Sequence, residues 1–321
     1  MNRAVLLRLA QAALVVGLVV STCFALIRLA PGDPFFSALD APGVSEEQRA
    51  VQRAAFGYDR PLPEQFVRYL GRVAVGDLGW SHSKGMPVRA VLAVVLPASM
   101  LLMATAILFG LVGGVALGAW QGWRHESRWA TATDRLSLVL LSTPEFVLAL
   151  LLLIGPALAW RLFPASGVRT EFGPTGIGSV LDVAHHLVLP ALALALVVGA
   201  IVARHQRAAM RGVRDAEFVR AARARGVPEV RLFVRYALRN ALVPVLTIMG
   251  LLLPAVVGGA VLVESVFSWP GMGSAIVGAV LGRDYPLVAG GVLVSAVGVV
   301  IGTLAADLAL FWADPRQRRE A

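Results

Sequence analysis

The stretch from Ala98 to Trp120, ASMLLMATAILFGLVGGVALGAW, carries no charged residue. It is longer than the roughly 20 residues a helix needs to cross the hydrocarbon of a bilayer. Five further stretches read the same way: Leu9–Ile27, Leu136–Trp160, Leu187–Ala203, Leu242–Val263 and Leu287–Ala306. The one charge in all six is Glu145, and the fourth is short and holds a proline, Pro190. The whole chain agrees, since 57% of its 321 residues are hydrophobic and only 15% charged. A soluble domain runs nearer 45–50% apolar and 25% charged. The expected fold is therefore an all-α polytopic membrane protein of six transmembrane helices.

Six spans put both termini on one side, and the basic residues say which. With the N-terminus inside, segments 1–8, 121–135, 204–241 and 307–321 hold 18 of the 29 Lys and Arg residues. The outer segments 28–97, 161–186 and 264–286 are longer in total and hold the rest. Basic residues concentrate in short cytoplasmic loops, so both termini are expected in the cytoplasm of a multi-pass inner-membrane protein. This topological reading accounts for the net charge of +9 and leaves no basic soluble domain for nucleic acid. Arg3 and Arg8 precede the first apolar run, and Val20-Ser21-Thr22-Cys23 has a faint likeness to a lipoprotein cleavage site. The run continues to Ile27, however, and lacks a small-x-small site at its end, so it reads as an uncleaved first span. The expected organisation is thus residues 1–27 as N-terminus and first span, 28–97 as an external insertion, and 98–321 as the core. Phe56, Tyr58, Phe66, Tyr69, Leu70 and Trp80 make the insertion too apolar for disorder.

Several energy sources are excluded. The single cysteine, Cys23, forbids a disulfide scaffold or a Cys-based metal site. The only lysine, Lys84, sits in Ser83-Lys84-Gly85 rather than in a Gly-Lys-Ser/Thr loop, so the chain has no Walker A motif with which to bind ATP. No internal repeat suggests a self-contained secondary transporter, and a lone Glu145 makes no proton relay. All five histidines lie outside the six stretches, against an intramembrane enzyme. If transport is driven, another subunit drives it.

The segment 204–241 carries the strongest signal. Asp215 is placed to N-cap a short helix with Glu217 in its first turn. Alanines sustain that helix, and Arg223 and Arg225 suit its C-terminal end. Gly226 supplies a left-handed stop and Pro228 the first turn of a second helix. Helical spacing then puts Val230, Phe233, Val234, Ala237, Leu238 and Ala241 on one stripe, with Arg231, Arg235 and Arg239 on the other face. Such a corner either lies on anionic lipid or docks a partner, and periodicity alone does not choose.

Motif content does choose. The run Arg220-Ala221-Ala222-Arg223-Ala224-Arg225-Gly226, followed by Arg239-Asn240-Ala241-Leu242-Val243-Pro244, resembles the EAA loop of permease subunits of bacterial ABC importers, in the branch serving dipeptides, oligopeptides and nickel. Further stretches of this branch occur in order. They are Pro31-Gly32-Asp33-Pro34, Asp59-Arg60-Pro61-Leu62-Pro63-Glu64-Gln65, Gly76-Asp77-Leu78-Gly79-Trp80-Ser81, Glu264-Ser265-Val266-Phe267-Ser268-Trp269-Pro270-Gly271-Met272-Gly273 and Arg283-Asp284-Tyr285-Pro286, with Asp314-Pro315-Arg316 near the end. The chain departs from the motif in having Arg220 for Glu, Tyr236 where His is usual, and Arg225 for Lys.

This resemblance implies the type I importer permease fold with a small periplasmic insertion after the first helix. It implies that the loop helix is a coupling helix, with Glu217, Phe218, Ala221, Ala222 and Gly226 docking an ATPase. Arg239 and Asn240 would tether the second helix to the fifth span. The implied partners are a homologous second permease subunit, two cytoplasmic ATPase subunits that use ATP and Mg, and a periplasmic or lipid-anchored substrate-binding protein. The chain itself would bind no cofactor and would not be an enzyme. The cargo would be di- or oligopeptides, with nickel or another small solute as the alternative and a self-contained secondary transporter as the rival of a different class. Glu145, ten residues beyond Arg135, would lie about 15 Å into the membrane on a straight helix at 1.5 Å per residue. There it would line the pathway or be satisfied by Ser142, Thr143 or a neighbouring helix. His185 and His186 lack a third ligand nearby and read as interfacial rather than metal-binding.

Overall fold

The computed structural model describes residues 2–29, 60–252, 256 and 260–313. Most of them are helical. In hydrocarbon no water can satisfy backbone polar groups, so apolar segments must bond internally. In chain order the elements are α1 (Asn2–Leu29), α2 (Leu62–Ala74), a two-stranded antiparallel hairpin of β1 (Trp80–Ser81) and β2 (Met86–Pro87), and α3 (Val88–Trp123). Next come α4 (Arg128–Ser142) and α5 (Glu145–Leu152), the latter continuing as a π-helical stretch, π1 (Leu153–Ala159). The long α6 (Ile177–Arg214) leads to α7 (Glu217–Ala224) and α8 (Glu229–Arg231). A second π-helical stretch, π2 (Leu232–Leu238), joins α8 to α9 (Arg239–Ala241) and α10 (Val243–Leu252). Then follow α11 (Val261–Val266), α12 (Met272–Leu281) and α13 (Tyr285–Ala313).

Among the described residues five helices are long and apolar enough to span a membrane, and a bent pair makes a sixth. Leu9–Ile27 falls within α1 and Leu287–Ala306 within α13. The other expected boundaries need correction. The second span begins at Val88, ten residues before Ala98, with Pro97 inside the helix; apolar helices tolerate an interior proline when neighbours satisfy the freed groups. The helix of the second span thus starts within the stretch 28–97 expected as insertion. The described part of the insertion packs inward, with Phe66 and Tyr69 against Phe24 of α1 at ring separations of 5.2 and 5.6 Å; Phe56 and Tyr58 lie outside the described residues.

The third span is not one rod. Pro144 follows the end of α4, and α5 departs at 106°. Pro144 cannot donate its own amide and disfavours helix at Thr143, which is accordingly extended. The fourth, Leu187–Ala203, is only the middle of α6, so His185, His186 and His205 belong to that helix after all. The fifth, Leu242–Val263, corresponds to α10 and the start of α11, with eight intervening positions of which 256 and 260 are described.

The frame that places everything else is the α3–α6 pair. Gly110, Gly114, Gly118 and Gly122 recur every fourth residue and so share one face. A Cβ at Gly118 would stand 2.2 Å from the Ala203 carbonyl oxygen, one at Gly114 2.6 Å from that of Gly199, and one at Gly122 2.7 Å from that of Arg207. The partner numbers rise with the glycine numbers, so the helices run parallel. Small residues let membrane helices approach until their backbones touch, and here they leave no room for a side chain. On the far side of this pair Leu102, Ala106, Ala149, Ala193, Val263 and Trp269 close one buried core.

Candidate functional site

α6 delivers the chain to the corner. It continues to Arg214, so only Asp215 and Ala216 remain for the turn, and Asp215 is the C-cap of α6. The expected Asp215 cap is thus corrected: Ala216 holds the N-cap position of α7, without a side-chain bond. The other end of α7 is as expected. Gly226 has φ +79°, donates its N–H to Arg223 O at 3.0 Å, and Val227 donates to Ala222 O at 3.2 Å. That paired closure is a Schellman motif, which puts C′ in the left-handed region and favours glycine there. Pro228 caps α8 from the position before its first turn.

The apolar stripe of the second helix also needs correction. Leu232, Ala237 and Ala241 are buried, whereas Val230 and Val234 are exposed. The cause is π2: i→i+5 bonding widens the turn, so Leu232 shares its face with Ala237, five residues on, and the stripe slides off Val230 and Val234. Ala237 and Ala241 then pack with Ala119 and Met210.

These contacts sort the expected docking residues. Glu217, Phe218, Ala221 and Gly226 are exposed. Ala222 is fully buried with Val219 on the inner face of α7, and it contributes the carbonyl that closes the Schellman motif. The Asn240 amide donates to Tyr236 O at 2.7 Å, within the same helical run, and Arg239 is exposed. The corner carries an ion pair, Arg223 Nε to Glu229 Oε1 at 2.6 Å. Both side chains are substantially exposed, so the pair is worth roughly 0–1 kcal/mol.

Glu145 is the first residue of α5, half-buried at the 106° corner. The depth derived from a straight helix through Arg135 therefore does not apply. Ser142 and Thr143 donate their hydroxyls back to Leu138 and Val139 carbonyls, and no hydrogen bond or ion pair engages Glu145 among the described residues. Its carboxylate sits where a helix N-terminus favours negative charge. His185 meets Leu162 O at 3.1 Å and His186 meets Asp182 O at 2.9 Å, each ring bound to a backbone carbonyl.

Two carboxylates that sequence reasoning left in outer loops turn out to organise the opposite face. Glu264 is fully buried. It accepts from Ser99 Oγ at 2.6 Å and Ser274 N at 3.0 Å, and Ser99 Oγ in turn accepts from Met272 N at 2.7 Å. A Cβ on Gly271 would stand 2.3 Å from the Glu264 carboxyl carbon. Trp269 is buried beside it and donates to Ala98 O at 3.0 Å. Asp284 accepts from Ser81 Oγ at 2.6 Å, Ser83 Oγ at 2.7 Å and Ser83 N at 3.0 Å. Burial opposes its charge, but these donors prevail and hold its carboxyl below the ordinary aspartate range. Only packing brings its donors at Ser99 and Ser274 together, so no local sequence signal announced Glu264.

A bundle of long apolar helices with a short helical corner at one end defines a polytopic membrane protein. The chain belongs to the family of binding-protein-dependent transport system inner membrane components, whose model matches residues 114–319. It is 35% identical to the oligopeptide transport system permease protein AppB of Bacillus subtilis (strain 168), over 91% of this chain and 92% of that one. It is 32% identical to the dipeptide transport system permease protein DppB of Escherichia coli (strain K12), over 92% and 93%. It is 36% identical to the di/tripeptide transport system permease protein DppB of Pseudomonas aeruginosa (strain UCBPP-PA14), over the same shares.

Proposed function

We propose that this chain forms half of an ATP-driven import pathway for di- or oligopeptides, with α7 as its coupling helix. The cargo is inferred from relatives named as oligopeptide, dipeptide and di/tripeptide permeases, which match over nine-tenths of both chains. The α7 face lies in the cytoplasm, both termini with it, by the distribution of arginines. There Glu217, Phe218, Ala221 and Gly226 meet a separate ATPase that uses ATP and Mg; two such subunits and a second, homologous permease complete the complex. A substrate-binding protein docks on the opposite face, where the insertion offers it a platform. Glu145 lines the pathway at the α4–α5 corner, a carboxylate suited to a peptide amino group.

The observation that carries this reading is the Schellman closure at Gly226. A helix stopped within one residue transmits displacement, whereas a frayed one absorbs it. ATPase closure then rocks the spans as rigid bodies. The test is uptake of radiolabelled peptide into vesicles containing the purified complex and its binding protein. Uptake must require ATP and must be abolished by Gly226→Pro while membrane insertion persists; normal uptake by that variant refutes the coupling role.

A further inference from the structure

Trp123 is the last residue of α3, and nothing in the docking reading uses it. Its ring nevertheless touches both arms of the corner. The Arg223 guanidinium of α7 lies 5.8 Å from the ring centroid, within cation–π range. Phe233 of π2 meets the same ring edge-on at 5.6 Å and 71°. Arg223 is itself steered by Glu229 of α8 through the 2.6 Å ion pair. One rigid side chain thus gathers α7, α8 and π2 onto the end of α3.

That end cannot slip against its neighbour. Gly122, next to Trp123, leaves no space for even a Cβ beside Arg207 O and Met210, so the last turn of α3 is seated on α6. The covalent route from α7 to α6 is the two-residue turn Asp215–Ala216. The route through Trp123 is side-on contact with a flat ring whose only freedom is two torsions. Packed elements move as units rather than deform, so a push on α7 received by the ring moves α3 and α6 together.

We propose that Trp123 is a positioning residue that gears α7 to the α3–α6 pair, with Arg223 and Phe233 as its two bearing contacts. This rests on the reading of α7 as the ATPase-docking helix. It adds the point where the motion leaves that helix.

The test is hydrogen exchange of the assembled complex in nanodiscs, without nucleotide and trapped with ATP and vanadate. Protection of residues 217–224 by the ATPase reads docking. The nucleotide-dependent change at the end turns of α3 and α6 reads gearing, and a purely structural role for Trp123 would shift both nucleotide states alike. In Trp123→Ala and in Arg223→Ala, docking protection is expected to persist while the nucleotide-dependent change falls about five-fold or more. Trp123→Phe should restore part of it, and the double variant should be no worse than Trp123→Ala. If Arg223→Ala and Trp123→Phe both respond as the wild type does, the inference is overturned and the docking reading stands. If residues 217–224 gain no protection in the wild-type complex, the docking reading fails and takes this one with it. Should Trp123→Ala not accumulate, the exposed Arg223→Ala and the conservative Trp123→Phe decide the matter.

Discussion

At the far end of the α3–α6 frame, Glu264 and Asp284 are buried and bonded several times over; in the corner around α7, Arg223 and Glu229 are exposed and bonded once or twice. Glu264 and Asp284 have hydroxyl and amide donors from two or three elements each. Arg223 has one exposed carboxylate and one ring. Removing a partner from a buried carboxylate leaves unsatisfied groups that cost several times what an exposed ion pair contributes. The far end is therefore built for stability. The α7 end holds its shape through backbone closure and small apolar contacts, which leaves its outer face free to bear a partner.

This contrast is breakable in order of expected effect. The seam between the ends should be the least tolerant point of all. Gly118→Leu drives a side chain into the Ala203 carbonyl, and overpacking of this kind costs at least roughly 1–3 kcal/mol; loss of folded protein on detergent extraction checks it. Glu264→Ala comes next. It strands Ser99 and the Ser274 amide in the core, for a loss of about 1–3 kcal/mol per orphaned group, visible as a large drop in melting temperature. Gly226→Ala costs about 1–2 kcal/mol at a left-handed position yet should lower ATP-coupled uptake more than it lowers melting temperature. Phe218→Ala should stay within about 0.5 kcal/mol of wild type, as surface changes do, while weakening recovery of the ATPase.

Acid sharpens the comparison further. The Asp284 carboxyl is depressed in the folded protein, so its contribution is complete above the ordinary aspartate value near 4 and is lost as pH falls through the depressed value. The melting-temperature gap between wild type and Asp284→Asn should therefore be widest near neutrality and shrink on the acid side. A gap that grows with acid would contradict the clamp.

The apolar spans were legible because hydropathy is summed over about 20 residues and survives local error. Their ends were not. Pro97 looked like a boundary and lies inside a helix, whereas Pro144 looked like part of a span and breaks one. Gly226 was legible because a left-handed stop has a local signature. The stripe through Val230 and Val234 misled because a π-helical turn changes the period without changing composition. Trp123 was invisible for another reason: its contacts lie about a hundred residues away in sequence, and no local pattern announces them. Glu264 was hidden in the same way, its donors at Ser99 and Ser274 brought together only by packing.

The central claim is that the exposed face of α7 bears on a separate nucleotide-hydrolysing subunit. A photoreactive amino acid in place of Phe218, illuminated in membranes holding the whole complex, tests it most directly. The account predicts a protein adduct with the ATPase whose yield changes when ATP and vanadate are added. Adducts confined to lipid, with the ATPase untouched in every nucleotide state, would contradict it.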